Sequence, residues 1–188
     1  MKRLLLTFSV ISILFYGCGE AGFESDISKN TEATFTIESA RVNDLQDNNL
    51  EVSESFDFAN DEFGDYIDDA ESFRIGKLSY EISDYSNTSG DVVSVDFVLS
   101  VTNSGTDREI LTISDLTIEN TGVVLVYEEG NTTSLLSASQ IASLESVADL
   151  VENRQSADFK VSIDFTQDID SDFDLTFYFD LTARVQLD

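Results

Sequence analysis

Four aspartates at every second position, Asp168, Asp170, Asp172 and Asp174, form the densest chemistry-bearing motif in the chain. Calcium takes six to eight oxygen ligands, and a loop that clusters carboxylates can supply several of them. An EF-hand is excluded, because counting from Asp168 puts Phe173 and Phe179 where that loop needs Gly and Glu. Two readings remain: a calcium site on the Asp168–Asp174 turn, or a solvated acidic turn, of which the second is favoured. A further set of acids, Asp57, Asp61, Glu62, Asp65, Asp68, Asp69 and Glu71, lacks a nearby lysine. It reads first as a polar helix face with its flanking loops, and second as a cation site.

Nothing else in the chain points to catalysis. There is no His, which removes the commonest general base and the commonest zinc ligand. A serine nucleophile would need Lys29, Lys77 or Lys160 as its activating base, and none stands in a recognisable Ser-Lys arrangement. Paired carboxylates for glycoside hydrolysis are too abundant to single out a pair. The expectation is a protein that is not an enzyme and has no cofactor, with calcium as the alternative. Tyr66, Tyr80, Tyr85, Tyr127 and Tyr178 are candidates for an aromatic surface that meets glycan or protein. Tyr178, beside Thr176 and Asp180, is the foremost of them, and cross-strand pairing on a solvated face explains it equally well.

The only cysteine, Cys18, follows a basic start at Lys2-Arg3 and the apolar run Leu4–Tyr16. That run is shorter than the roughly 18–20 residues needed to span a bilayer, so it reads as the core of a signal peptide. Phe15-Tyr16-Gly17-Cys18 resembles the lipobox of bacterial lipoprotein precursors. The resemblance implies cleavage before Cys18, a diacylglyceryl thioether on its sulfur, and a protein held in the bacterial outer membrane on its periplasmic or cell-surface face. The alternatives are an ordinary secretory signal cut near Gly19 or Ala21 and an uncleaved anchor.

The formal charge of −27 disfavours phosphate backbones and anionic headgroups, so nucleic acid is not an expected partner. The expected partners are the membrane, through lipid on Cys18, and an envelope protein or glycan that the residues do not identify. High negative charge also serves solubility alone. No second cysteine is present for a disulfide, so the core must suffice by itself.

Three segments follow: a signal peptide over 1–17, an acidic flexible tether over 18–33, and a single domain over 34–188. Period-two alternation dominates the domain. It is clearest at Val93–Val101, at Phe159–Phe165 and at Phe173–Leu187. The last two runs, joined by the polar stretch Thr166–Asp172, read as one long antiparallel hairpin. A slip of phase between Ile113 and Leu116 predicts a bulge at Ser114-Asp115. Ser137-Ala-Ser-Gln140 has capping-box spacing, and Ile141, Leu144, Ala148 and Val151 follow at helical intervals, which predicts a helix over 137–152. A shorter helix is expected over 60–71.

The fold expected is all-β, a two-sheet antiparallel sandwich with one inserted helix. Phe97–Gly122 resembles the central hairpin of immunoglobulin-like domains of bacterial surface proteins, which implies an immunoglobulin-like sandwich and no activity. The function expected is a lipid-anchored binding or structural module of the cell envelope. A calcium-dependent adhesion module is the first alternative, and a hydrolase using paired carboxylates is the second.

Overall fold

The computed structural model describes residues 23–45, 48–57, 70–131 and 134–187. The signal peptide expected over 1–17, Cys18, Tyr66 and most of the expected helix over 60–71, including Asp61 to Asp69, lie outside the described residues. Among the described residues there are eight strands and two helices. They are β1 (Phe23–Ile37), α1 (Ser39–Asn43), β2 (Asn49–Asp57), β3 (Ala70–Ser83), β4 (Ser94–Asn103), β5 (Thr106–Thr117), β6 (Val124–Glu128), α2 (Ala138–Glu152), β7 (Ser156–Phe165) and β8 (Phe173–Leu187).

The strands form two four-stranded sheets, β1-β8-β3-β6 and β2-β7-β4-β5. Every pairing is antiparallel, and four of them are nested: β1 with β8, β2 with β7, β3 with β6, β4 with β5. The chain is thus one long hairpin, turning at Ser104-Gly105, rolled until β3 meets β8 and β4 meets β7. That is the jelly-roll connection of a β-sandwich. The sandwich expected from the alternation is present. Its connection differs from the immunoglobulin order, in which seven strands divide four and three. The hairpin from Phe97 onward is real, but it is the outer turn of a roll.

The expected hairpin of the last two runs is not one. β7 lies in the second sheet and β8 in the first, so residues 166–172 cross from sheet to sheet. Alternation demands only that Phe159, Val161, Ile163 and Phe165 share a buried side, as must Phe173, Leu175, Phe177 and Phe179. Two strands facing each other across a core meet that demand as well as two neighbours do. The rings of Phe159 and Phe179, 5.1 Å apart between centroids, meet across the core.

Residues 23–33, expected to belong to the tether, form the first part of β1. They pair with β8 without a break, from Phe23↔Leu187 to Ala33↔Phe177. Polar side chains conceal the strand, yet the period is there: Lys29 and Thr31 are half-buried and Ala33 is fully buried, while Asp26, Ser28, Asn30 and Glu32 are exposed. Backbone pairing to a neighbour rich in Phe and Leu outweighs the low β-propensity of Asp and Asn.

The bulge falls where the phase slip puts it. Val95 faces Leu116 and Phe97 faces Ile113, so Ser114 and Asp115 stand opposite Asp96 alone. Asp115 takes a φ of 56°, and its N–H donates to the Asp96 carboxylate at 2.8 Å. α2 starts at its predicted place. Ser137 accepts from the Gln140 N–H while Gln140 Oε1 accepts from the Ser137 N–H at 2.9 Å, a closed capping box. Leu144, Val147, Ala148, Leu150 and Val151 are buried, and the helix packs against β3 of one sheet and β5 of the other.

Candidate functional site

The four aspartates of the motif lie where the chain crosses between the sheets. This pole of the sandwich is marked by the pairs Ile37↔Phe173 and Ser83↔Asp174. Ile169 is 2 % exposed and plugs the core from above. Asn43 of α1 holds its backbone from both sides: Asn43 Nδ2 donates to the Ile169 carbonyl at 3.1 Å, and the Ile169 N–H donates to Asn43 Oδ1 at 2.9 Å. With Ile169 turned inward, the flanking carboxylates turn outward and apart.

Each of three carboxylates caps a different segment. One oxygen of Asp170 accepts from the N–H groups of Thr88 and Ser89, at 2.8 and 2.7 Å. Asp172 accepts from the N–H and hydroxyl of Ser39, at 2.8 and 2.7 Å. Asp174 accepts from the Thr36 hydroxyl at 2.7 Å. Asp168 is exposed. Hydrogen bonds from Ser89 and Thr88 hold the Asp170 carboxyl below the usual carboxylate range, and those from Ser39 do the same for Asp172. The arrangement clasps loops together. It does not converge on one point, and among the described residues no three acidic or cysteine side chains lie close enough to share a metal ion. Asp57 ends β2 and Glu71 lies in β3; the other members of the second acidic cluster are outside the described residues.

The same pole contains contacts that spacing does not reveal. Asn120 donates to the Tyr85 carbonyl and accepts from the Tyr85 N–H, both at 2.9 Å. The Ser86 N–H donates to the Ser171 hydroxyl at 2.8 Å. Tyr85 is buried, its ring edge-on to Phe173 at 6.1 Å. Tyr80 is buried too, against Phe97 at 5.8 Å. Neither offers its ring to a partner.

Tyr178 lies on the outer face of the first sheet, and its hydroxyl donates to Glu81 Oε2 of β3 at 2.8 Å. Burial, reinforced by Glu81, pushes its pKa up to about 12. Cross-strand pairing therefore accounts for it. Around it runs a ladder of short hydroxyls, Ser28 with Thr182 at 2.9 Å and Thr34 with Thr176 at 3.0 Å. Thr176, Thr182 and Ser79 are buried on this outer face. Asp180, between Asn30 and Lys77, has one oxygen buried without a hydrogen-bond partner. Burial raises its pKa and Lys77 offsets part of the rise. Of the lysines weighed as bases, Lys160 is bridged to Glu51 at 2.8 Å.

An open cleft of about 430 Å³ separates the outermost strands on one side, where β1 stands beside β2. Thr34, Thr36, Arg41, Glu51, Ser53 and Glu54 line it. Arg41 closes one end by donating to the Glu51 carbonyl at 3.1 Å.

No described protein family matches this chain, and no curated relative matches it. Among solved structures, a chain of Desmodium yellow mottle tymovirus is similar over 100 % of this chain and 94 % of its own, with 11 % identity and a TM-score of 0.35. A chain of infectious bursal disease virus, Gx strain, is similar over 98 % of this chain and 43 % of its own, with 8 % identity and a TM-score of 0.30. The VP2 subviral particle of the same virus gives 9 % identity and a TM-score of 0.29, over 91 % and 39 % of the two chains. Scores of this size are too low to bear on fold or function.

Proposed function

We propose that this chain is a lipid-anchored binding or structural module of the bacterial cell envelope, without catalytic activity. The observation that carries the reading is the run Leu4–Tyr16 ending at Gly17-Cys18, with the only cysteine in the chain directly after a small residue. Two acyl chains on Cys18 would anchor stably where one would not.

Four residues separate Cys18 from the start of β1. Fully extended, that stretch reaches at most about 18 Å, so an anchor at Cys18 keeps the Phe23 end of the sandwich close to the headgroups. The clasped pole then points away from the membrane. It presents Val92, 70 % exposed, and the acids Asp84, Asp91 and Asp168 to an envelope protein or glycan.

Metabolic labelling with a fatty acid tests the anchor. Label enters the wild-type chain and is absent from Cys18→Ala; label that survives in the variant overturns the reading.

A further inference from the structure

We propose that two copies of this chain associate through β1, edge to edge and antiparallel, on a two-fold axis through Asn30. A free strand edge is a row of unpaired N–H and C=O groups, and proteins blunt such edges by shortening, bulging or charging them. Charge lies on all four sheet edges, Asp26, Lys29 and Glu32 of β1 included, so length and regularity distinguish them. β6 is five residues long. β5 is twice shifted in register against β4 and carries Asp107, Arg108 and Glu109 exposed. β2 is nine residues long and borders the cleft that Thr34 and Thr36 of β1 also line. β1 runs 15 residues along β8 with no register shift, and among the described residues its other edge pairs with nothing.

The side chains select the register. Opposed residues of an antiparallel pair share a face, so a two-fold must pass through a residue. An axis on residue 28 sets Glu24 against Glu32, one on 29 sets Asp26 against Glu32, and one on 32 sets Glu32 against itself. Like charges directly opposite destabilise a pair. An axis on Asn30, the midpoint of Phe23–Ile37, engages the whole strand and opposes no two acids. Asp26, already bridged to Arg74 and Arg184, then faces Thr34; Ser28 faces Glu32, and a hydroxyl can donate to that carboxylate. Lys29, half-buried on the core-facing side, faces Thr31. The axis on Thr31 also avoids like charges but leaves the first two residues of β1 unpaired.

The pairing has a consequence for anchored copies. It places the two Phe23 residues at opposite ends of a ladder roughly 46 Å long, at about 3.3 Å per residue. Two copies held at Cys18 in one leaflet can pair in this way only with the ladder lying along the membrane, whereas copies on facing membranes pair with it upright. This consequence rests on lipidation of Cys18; the pairing itself does not.

Cysteine cross-linking of the full chain carrying Cys18→Ser, purified in detergent, separates the two. On mild oxidation Asn30→Cys forms a disulfide-linked dimer, and Asp26→Cys does so only when combined with Thr34→Cys. Because both partners are strongly acidic, dimer in sedimentation analysis increases as salt is raised. Asn30→Lys sets two lysines against each other and abolishes the dimer; placed across the ladder from Asp180, the added positive charge leaves the monomer's melting temperature no lower than that of wild type. Cross-linking through Thr31→Cys in place of Asn30→Cys overturns the proposal, as does a wild-type chain that sediments as a monomer at every protein and salt concentration.

Discussion

Phe97 of β4 and Phe177 of β8 meet edge to face, 5.8 Å between ring centroids, and the contact joins the two sheets at the centre of the sandwich. Phe177 is fully buried and Phe97 is 1 % exposed. Tyr80 packs on one side of the pair and Phe35 on the other, at 5.8 and 6.1 Å. The four rings link β1, β8, β3 and β4, strands that lie far apart along the chain. Truncating either phenylalanine leaves a cavity that its β-sheet backbone cannot collapse to fill. Phe97→Ala and Phe177→Ala are each expected to cost about 3–5 kcal/mol. In urea unfolding the double variant should fall short of the summed losses by about 0.5–1.5 kcal/mol, the coupling between the rings. Full additivity would show that the pair does not act as a unit.

The clasp at the far pole is a pH-dependent structure. Asp170 and Asp172 have folded pKa values below the ordinary carboxylate value of about 3.9. A lowered folded pKa stabilises the fold above the unfolded value, and that contribution is lost as pH falls through the folded one. The pole is therefore expected to hold at neutral pH and to open only in acid, below the range where free aspartate protonates. Hydrogen exchange at the Thr88 and Ser89 amides reads this directly. Protection should vanish in Asp170→Ala at neutral pH while amides in β4 and β7 stay protected. Unchanged protection at Thr88 and Ser89 would mean that the carboxylate does not hold the loop.

Much of this architecture is written in the alternation of the chain. Val93–Val101, Phe159–Phe165 and Phe173–Leu187 state which residues are buried, and the slip between Ile113 and Leu116 states where β5 bulges. Alternation carries no information on which strand neighbours which, so β7 and β8 read as a hairpin although they face each other across the core. β1 was hidden for a different reason. Its first ten residues are mostly polar, and what makes them a strand is the apolar ladder of β8, some 150 residues away in sequence. The aspartates after Thr166 were visible as a motif; their use was not. Carboxylates at alternate positions suit a cation or a row of backbone donors equally. The choice depended on Ile169, whose burial splays them toward Ser39 and Thr88.

Ser137 sets the start of α2, and its capping box is solvent-exposed, so its contribution is local. Ser137→Ala removes the hydroxyl that accepts from the Gln140 N–H at 3.3 Å. The expected loss is about 1 kcal/mol in chemical denaturation, with Ser137→Gly costing less than Ser137→Ala. Equal stability of Ser137→Ala and wild type would show that packing against β3 and β5 alone determines where the helix begins.

Among the described residues on the outer face of the first sheet, Asp180 is a carboxylate whose charge works against the fold. Its Oδ1 is buried without a partner, and its neighbours across the ladder are Asn30 and Lys77. Burial raises its folded pKa, so the ionised form is relatively destabilising, and the fold recovers that cost as pH falls through the raised value. Asp180→Asn removes the charge and keeps the shape. At neutral pH the variant should be more stable than wild type by about 0.5–1 kcal/mol, the low end for an unsatisfied acceptor because solvent reaches part of the carboxylate. The advantage should shrink as pH is lowered into the carboxylate range, where wild type becomes neutral too. Lys77 supplies the control, because its charge offsets part of the cost. Lys77→Met, which withdraws that charge, should lower stability in the Asp180 background and have little effect in Asp180→Asn. A gain that persisted unchanged at low pH would assign the effect to packing and not to the buried charge.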